Sequence, residues 1–478
     1  MDFLITDLIN VFLPETLLFG FIILNLLLSL LFGKKLYKFS ARFALVAVII
    51  PLISISFGIS HFGYTVFGGA YISTVFTGFM KVLVLLGAFC TIILSQNIIK
   101  KIRYRAFEHY TLLLIATFAA MCLIDSNDFI PMFISLETLT VSSVMLIGFN
   151  NKFKSKEAAV KYFIMSAVST GILLLGISYI YGLSGELNYS LINNSYIEQD
   201  SSVLYMISSI LVICGLACKI GCVPFQMTIP DVFRGSSYPV CAFISTVPII
   251  AGFSALLRII TYTMYDCPVL QIIIEILALL TIFYGIFGAI RQTNFKRFMG
   301  YSTIIQSGFM MLAAGIFSAY GLTAFMFYIT AYLFMTLGVW AAGITFVTCT
   351  GSDEIKDYKG LFYIRPYYAA AFIICIMGLA GLPPSSGFLS KIFLFISVMR
   401  QDASGLIFLI PSLILVLFGI YCYSNIIRIM FQKKNCNDIG MPQMNTKIIL
   451  YFCTLMTFVI FVFADYISKL SIFASFGI

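Results

Sequence analysis

Runs of roughly 20 apolar residues recur from one end of this chain to the other, and no other feature limits its fold as much. A run of that length, wound as a helix, crosses about 30 Å of hydrocarbon with its backbone N–H and C=O groups paired internally. Composition agrees: of 478 residues, 61% are hydrophobic and 10% charged, whereas soluble domains are about half apolar and a quarter charged. Such a chain has too few polar groups to cover a water-facing surface, so lipid is its solvent. The expected fold class is an all-α integral membrane protein, for which counting domains by length has no meaning. The opening, Met1 to Leu13, has no basic n-region or small-residue cleavage site, so it reads as leading straight into the first span.

Hydropathy divides the chain into about fourteen spans, near 12–33, 41–60, 73–96, 111–125, 128–149, 161–182, 203–228, 238–265, 269–290, 302–318, 321–348, 367–399, 405–431 and 447–466. Basic residues test that count. They gather after span one (Lys34, Lys35, Lys38, Arg42), span three (Lys100, Lys101, Arg103, Arg105) and span five (Lys152, Lys154, Lys156). The pattern continues after span nine (Arg291, Lys296, Arg297), span eleven (Lys356, Lys359, Arg365) and span thirteen (Arg428, Lys433, Lys434, Lys447). Even-numbered loops hold acids such as Asp125, Asp128, Glu186, Glu198 and Asp200, and Arg400 is the exception. Positive residues stay cytoplasmic, so both termini are expected outside. The net charge of +9 therefore reads as topogenic, with no nucleic acid as partner.

Two spans are interrupted. Span seven carries Gly221-Cys222-Val223-Pro224-Phe225, and span twelve carries Gly381-Leu382-Pro383-Pro384-Ser385-Ser386-Gly387. Proline removes a helix hydrogen bond and clashes with the preceding turn. Broken backbone at membrane depth persists only where protein or a wet cavity satisfies it. The breaks lie five spans apart, so the two helices run in opposite directions, as in an inverted repeat with its path at the repeat interface.

Ionisable residues inside spans cost about 2.5–3.5 kcal/mol each on insertion scales, yet several are present. Glu137 lies mid-way along span five, Lys219 five residues before Pro224, and Lys391 seven residues after Pro384. A lysine in dry surroundings sheds its charge readily and a carboxylate opposes this, so a Glu–Lys pair can load and release protons. The other reading of Glu137 and Lys219 is a static ion pair, and of Lys391 a structural charge. Lys81 in span three and Arg258 in span eight either join such a network or snorkel to the interface along their stems. Lys161, at the start of span six, is either a helix-end anchor or part of the polar line.

Other signals are weaker. His61 and His109 sit at span ends and read as wetted loop residues; Trp340, Tyr301 and the phenylalanines read as lipid contacts and packing. Most cysteines, among them Cys90, Cys122, Cys375 and Cys453, lie within spans as buried hydrophobes. Cys214, Cys218 and Cys222 share a helix face, but without a nearby His no metal site is expected. Phosphate-loop, flavin, haem and iron–sulfur patterns are missing, so no cofactor is expected on this chain.

Taken in order, the motifs resemble those of the antiporter-like membrane subunits of respiratory NADH-quinone oxidoreductase (complex I), subunit N among them. The likeness covers nearly the whole chain. It rests on Pro14-Glu15, Ser135-Leu136-Glu137, Glu157 to Phe163 around Lys161, and Ile180-Tyr181-Gly182. It continues through Lys219, Val223-Pro224-Phe225, Pro230-Asp231-Val232, Gln292 to Arg297 with Tyr301-Ser302, and Gly381 to Pro384 with Gly387-Phe388 and Lys391. The resemblance implies fourteen helices and two inverted five-helix repeats with helices seven and twelve broken. It implies N-terminal helices over 1–110, a first repeat over 111–265, a second over 266–431, and a last loop and helix over 432–478. Glu137 and Lys219 would be the modulating pair, Lys391 the terminal proton site on the outer side, and Lys161 part of the same axis. NADH, flavin, iron–sulfur clusters and quinone would belong to partner subunits of a respiratory complex. The setting would be a bacterial inner membrane rather than a mitochondrial one.

Two positions depart from that pattern. The family's lysine in helix eight is replaced by Ile249, and its histidine after Pro-Phe by Gln226, which orients water but does not titrate near neutral pH. The aromatic two residues further on is Thr228. Retention of Glu137, Lys219 and Lys391 favours proton translocation coupled to quinone reduction by partner subunits, with no redox chemistry on this chain. The alternatives are a subunit of a multisubunit cation/proton antiporter, or a non-pumping structural paralogue, which Ile249 favours.

Overall fold

The computed structural model describes residues 12–32, 37–57, 63–99, 105–195, 202–264, 267–401, 404–432 and 443–475. The principal helices are α1 (Leu13–Phe32), α2 (Tyr37–Phe57), α3 (Val75–Ile99), α4 (Ala106–Asp125), α5 (Phe129–Gly148), α6 (Phe153–Ser184) and α7 (Ser202–Ile220). They continue with α8 (Tyr238–Ile244), α9 (Val247–Ile259), α10 (Pro268–Ile290), α11 (Phe295–Gly315), α12 (Ala319–Thr350) and α13 (Pro366–Ala380). The last are α14 (Ser386–Met399), α15 (Ser404–Met430), α16 (Met444–Val462) and α17 (Ala464–Ser475). Among the described residues, twelve helical segments are long and apolar enough to cross a membrane, so the protein is multi-pass. Two expected spans lie outside those twelve. Helix α11 is long enough but carries Lys296, Arg297 and Gln306, and span twelve is divided into α13 and α14. The chain separates into two compact units: Met1–Ile220 with Val247–Leu270 and Phe473–Ile478, and Gly221–Thr246 with Gln271–Ile472.

In the first unit, α4 packs against α1, α3 and α5, while α9 packs against α3, α4 and α7. Small residues let α6 and α7 approach closely, as lipid-embedded helices require. A Cβ at Gly215 would lie 2.6 Å from Leu173 Cβ, and one at Gly176 2.9 Å from the Ser208 carbonyl. Ser169 Oγ donates to the Gly215 carbonyl across the same seam, at 2.8 Å. Hydropathy did not reveal a two-stranded antiparallel hairpin, β1 (Tyr64–Val66) and β2 (Tyr71–Ser73), with Tyr64 paired to Ser73. Its strands are too short to show a period of two. The turn is held from below: Asn127 N donates to the Ala70 carbonyl at 2.9 Å, and Asn188 Nδ2 to the Gly69 carbonyl at 3.0 Å.

Three side chains of this unit correct the sequence reading. Lys81 does not snorkel; it is buried between Glu15, 2.7 Å away, and Asp125. Arg258 is buried as well and donates to the Ile124 carbonyl at 3.0 Å and to Asn127 Oδ1 at 3.4 Å. Partners on neighbouring helices meet these charges where they stand, which makes a path to the headgroups unnecessary. His109 is buried too, its ring centroid 5.1 Å from that of Phe149. The reading of His61 lies outside the described residues.

The second unit is built around α12, which packs against α8, α11, α13, α14 and α16. Trp340 is fully buried there among Phe233, Tyr238 and Phe295, and its Nε1 donates to Ser245 Oγ at 2.9 Å. Packing, not lipid contact, is thus its role. The two motifs Pro230-Asp231-Val232 and Gln292 to Arg297 come together: Asp231 ion-pairs with Arg297, and Gly300 leaves room for Pro230. Arg400, the exception to the charge alternation, lies over the Tyr320 ring with its Cζ 4.0 Å from the centroid. Both helix breaks hold a cis X–Pro bond, Val223–Pro224 and Pro383–Pro384.

Candidate functional site

The first cluster sits where α5, α6 and α7 meet. Its position on α7, against the α6 seam, keeps the Lys219 side chain 6% exposed. Lys219 Nζ contacts Ser166 Oγ of α6 and stands 3.7 Å from Glu137 Oε1 of α5. Thr170, one helical turn beyond Ser166, donates to that same Oε1 at 2.6 Å. Two hydrogen-bonded pairs, Lys219 with Ser166 and Thr170 with Glu137, are thus joined by one ion pair within the first unit. These side chains are close enough for a small movement to trade one partner for another. Glu137 is half-buried, its side chain 35% exposed. Helix α9 covers α7 here, since a Cβ at Gly252 would lie 2.7 Å from Ile220 Cγ2 and 4.0 Å from Lys219 Cβ. Ile249, one turn earlier on α9, is buried and adds no polar atom.

The second cluster belongs to the break between α13 and α14. Gly381 ends α13 with a φ of 80°, the left-handed conformation glycine adopts at no steric cost. Its N–H reaches back to the Met377 carbonyl at 2.9 Å. The last carbonyls of a helix lack internal partners and carry partial negative charge. Lys391 exploits this: its buried Nζ donates to the Ala380 carbonyl at 2.6 Å and to the Leu379 carbonyl at 3.5 Å, and lies 5.0 Å from the Phe309 ring centroid. Gln306 donates to the same Leu379 carbonyl at 2.9 Å and accepts from Tyr328 at 2.6 Å. Tyr423 lies 3.1 Å from Gln306 Nε2 and 2.6 Å from Ser302 Oγ. A polar line therefore runs from α11 to the lysine inside the second unit. Gln306, Tyr328 and Tyr423 escaped the sequence reading because each alone is ordinary; the shared Leu379 carbonyl gives them meaning.

Residues 126–419 match the family model described as NADH:quinone oxidoreductase/Mrp antiporter, transmembrane. The chain belongs to this family. Among curated relatives of this antiporter-family chain is the NAD(P)H-quinone oxidoreductase subunit 2 of Thermosynechococcus vestitus, 33% identical over 88% of this chain and 82% of the relative. Another is the NADH-quinone oxidoreductase subunit N of Moorella thermoacetica, 34% identical over 80% of each. A chain of the respiratory complex I of Thermus thermophilus shares the fold with a TM-score of 0.81, at 24% identity over 95% of this chain and 98% of that one. A chain of the Mrp complex of Dietzia sp. does so with a TM-score of 0.85, at 16% identity over 97% of each.

The remaining residues singled out in this antiporter-family chain have separate places. Lys161 stands on an exposed face of α6 with Glu157 Oε1 2.7 Å from its ammonium, one turn earlier on the helix. Gln226 opens a single 3₁₀ turn, Gln226–Thr228, in the second unit. It is buried, and its Oε1 has no hydrogen-bond partner among the described residues. A buried carbonyl oxygen of that kind is a natural acceptor for water. Pro224 lies in the first break, and Pro383 and Pro384 in the second.

Proposed function

We infer that the chain is a proton-translocating, non-redox membrane subunit of an NADH-quinone oxidoreductase, in which Glu137, Lys219 and Lys391 hold the protons. The observation that carries this reading is the provision made for each ammonium. Lys219 is shared among Ser166 and Glu137, and Lys391 is held by carbonyls at the end of a broken helix. Both can be charged or neutral without losing every partner. A shift of Glu137 away from Lys219 removes the opposing charge and favours release of a proton. Gln226 supplies a water acceptor in place of a titratable ring. Lys161, paired with Glu157 on the exposed face of the same helix, is the outlying member of the axis in this reading.

NADH, flavin, iron–sulfur clusters and quinone belong to partner subunits, which supply the driving energy. The 1–110, 111–265, 266–431 and 432–478 segments serve as N-terminal helices, two inverted repeats and a final helix. The membrane is a bacterial inner membrane with both termini outside. In the second reading the chain is a non-pumping scaffold, and buried Ile249 favours it.

Coupled proton movement in vesicles containing the assembled complex separates these readings. With Lys219→Ala or Lys391→Ala, the translocation reading expects the proton-to-electron ratio to fall while electron transfer to quinone continues. Full pumping in both variants, with assembly intact, would leave only the scaffold.

A further inference from the structure

A second group of buried charges in the first unit takes no part in the Glu137–Lys219 cluster. Glu15 lies in the first turn of α1, Lys81 in the second turn of α3, and Asp125 is the last residue of α4. All three therefore meet at the helix ends remote from Phe32 of α1, Ile99 of α3 and Ala106 of α4, beside the β1–β2 hairpin. Each is almost fully buried: Glu15 0%, Lys81 2% and Asp125 1% exposed. Lys81 Nζ touches a carboxylate oxygen on either side, Glu15 Oε1 and Asp125 Oδ2.

The two acids are not equivalent. Asp125 also feels Arg258, whose guanidinium is fixed to the carbonyl preceding it in the chain, that of Ile124. Glu15 has one cation beside it, the Lys81 ammonium that it shares with Asp125. Among the described residues Glu15 Oε1 has the Lys81 ammonium alone, while Glu15 Oε2 and Asp125 Oδ1 have no hydrogen-bond partner. A buried carboxylate oxygen without a donor is costly, and a proton removes that cost at once. Two leftover oxygens are too few for a hard metal cation, which takes about six or more. The titratable neighbours are Lys81 on α3, Asp125 and Cys122 on α4 and Tyr71 on β2, with Arg258 and Tyr189 beyond Asp125.

We propose that Glu15, Lys81 and Asp125 form a second proton-binding site, in which Glu15 Oε2 takes the proton and Lys81 moves over to Asp125. One O–H bond forms, at Oε2, with a proton from water on the hairpin side. Lys81 keeps its three protons and changes only its partner. On release the O–H bond breaks and the ammonium is shared again. The proposal deepens the translocation reading by placing a proton site in the N-terminal helices, but the binding itself does not depend on coupling.

The test reads protonation directly. Infrared difference spectra of the purified complex are recorded across a pH titration, following the carbonyl band of a protonated carboxylic acid. Wild type gives a pH-dependent band, part of which disappears in Glu15→Gln and persists in Glu137→Gln. Asp125→Asn hands Lys81 wholly to Glu15, so the same component moves to more acidic pH, by at least about tenfold in proton concentration. If Glu15→Gln fails to assemble, the Asp125→Asn shift alone decides. An unchanged spectrum in either variant would mean both acids stay ionised as a fixed ion cluster, and the proposal fails. It also fails if sodium ions abolish the component at constant pH. Loss of pumping in Lys219→Ala has no bearing on this band, so the two readings fail separately.

Discussion

Thr170 shows how much of the proton site lies in a single hydroxyl. It donates to Glu137 Oε1 at 2.6 Å, on the same oxygen that faces Lys219. A hydrogen bond to a charged acceptor contributes about 1.5–3 kcal/mol, enough to decide where the carboxylate rests. Thr170→Val keeps the shape and deletes the donor. The variant is expected to assemble with a proton-to-electron ratio below wild type and above that of Glu137→Gln. A ratio equal to wild type would show that Glu137 needs no fixed position. Glu137 and Lys219 were legible in the sequence because charge stands out in an apolar span. Thr170 and Ser166 were not, since hydroxyls in membrane helices usually bond back to a carbonyl one turn earlier, and the Ser166 carbonyl, 2.8 Å from Thr170 Oγ1, competes with Glu137 for its one proton.

The broken element between α13 and α14 was visible in its prolines, while the use made of it was not. Sequence spacing placed Lys391 beyond the break; it did not reveal that the side chain returns to the end of the preceding half-helix. Gly381 makes that return possible. A Cβ there would lie 2.7 Å from Lys391 Nζ and from its Cδ, on a backbone with φ of 80°. Gly351, at φ of 73° on the end of α12, has nothing within 4 Å of such a Cβ and serves as the comparison. Backbone strain of about 1–2 kcal/mol applies to both alanine variants. Both are expected to lower the thermal midpoint of the complex to a similar degree. Only Gly381→Ala also displaces the ammonium, and only it is expected to reduce the proton-to-electron ratio. Equal ratios in the two would mean that the seat of Lys391 on the Ala380 carbonyl is dispensable.

At the scale of the whole molecule, the apolar runs and loop charges already specified a multi-pass helical protein, because lipid leaves so few alternatives. The buried group of Glu15, Lys81, Asp125 and Arg258 was only half legible. It depends on which helix ends meet, and hydropathy is silent on neighbours. The surface carries a further consequence. Glu137, with its side chain 35% exposed, opens onto the face of α5 that displays Ile130, Ile134, Val141 and Met145, which are 43–57% exposed. A carboxylate facing lipid at mid-span would cost about as much as any charge in the bilayer, so a neighbouring subunit is expected to cover that face in the assembled complex. Leu417 on α15, 68% exposed, offers a comparison on the second unit. In the intact complex, a cysteine placed at Ile134 is expected to resist a membrane-soluble maleimide, and one at Leu417 to react, each measured against the unsubstituted chain. Dissociating the subunits should then expose position 134. Rapid labelling at 134 in the intact complex would mean that lipid reaches the Glu137 face, and the carboxylate would have to lose its charge to remain there.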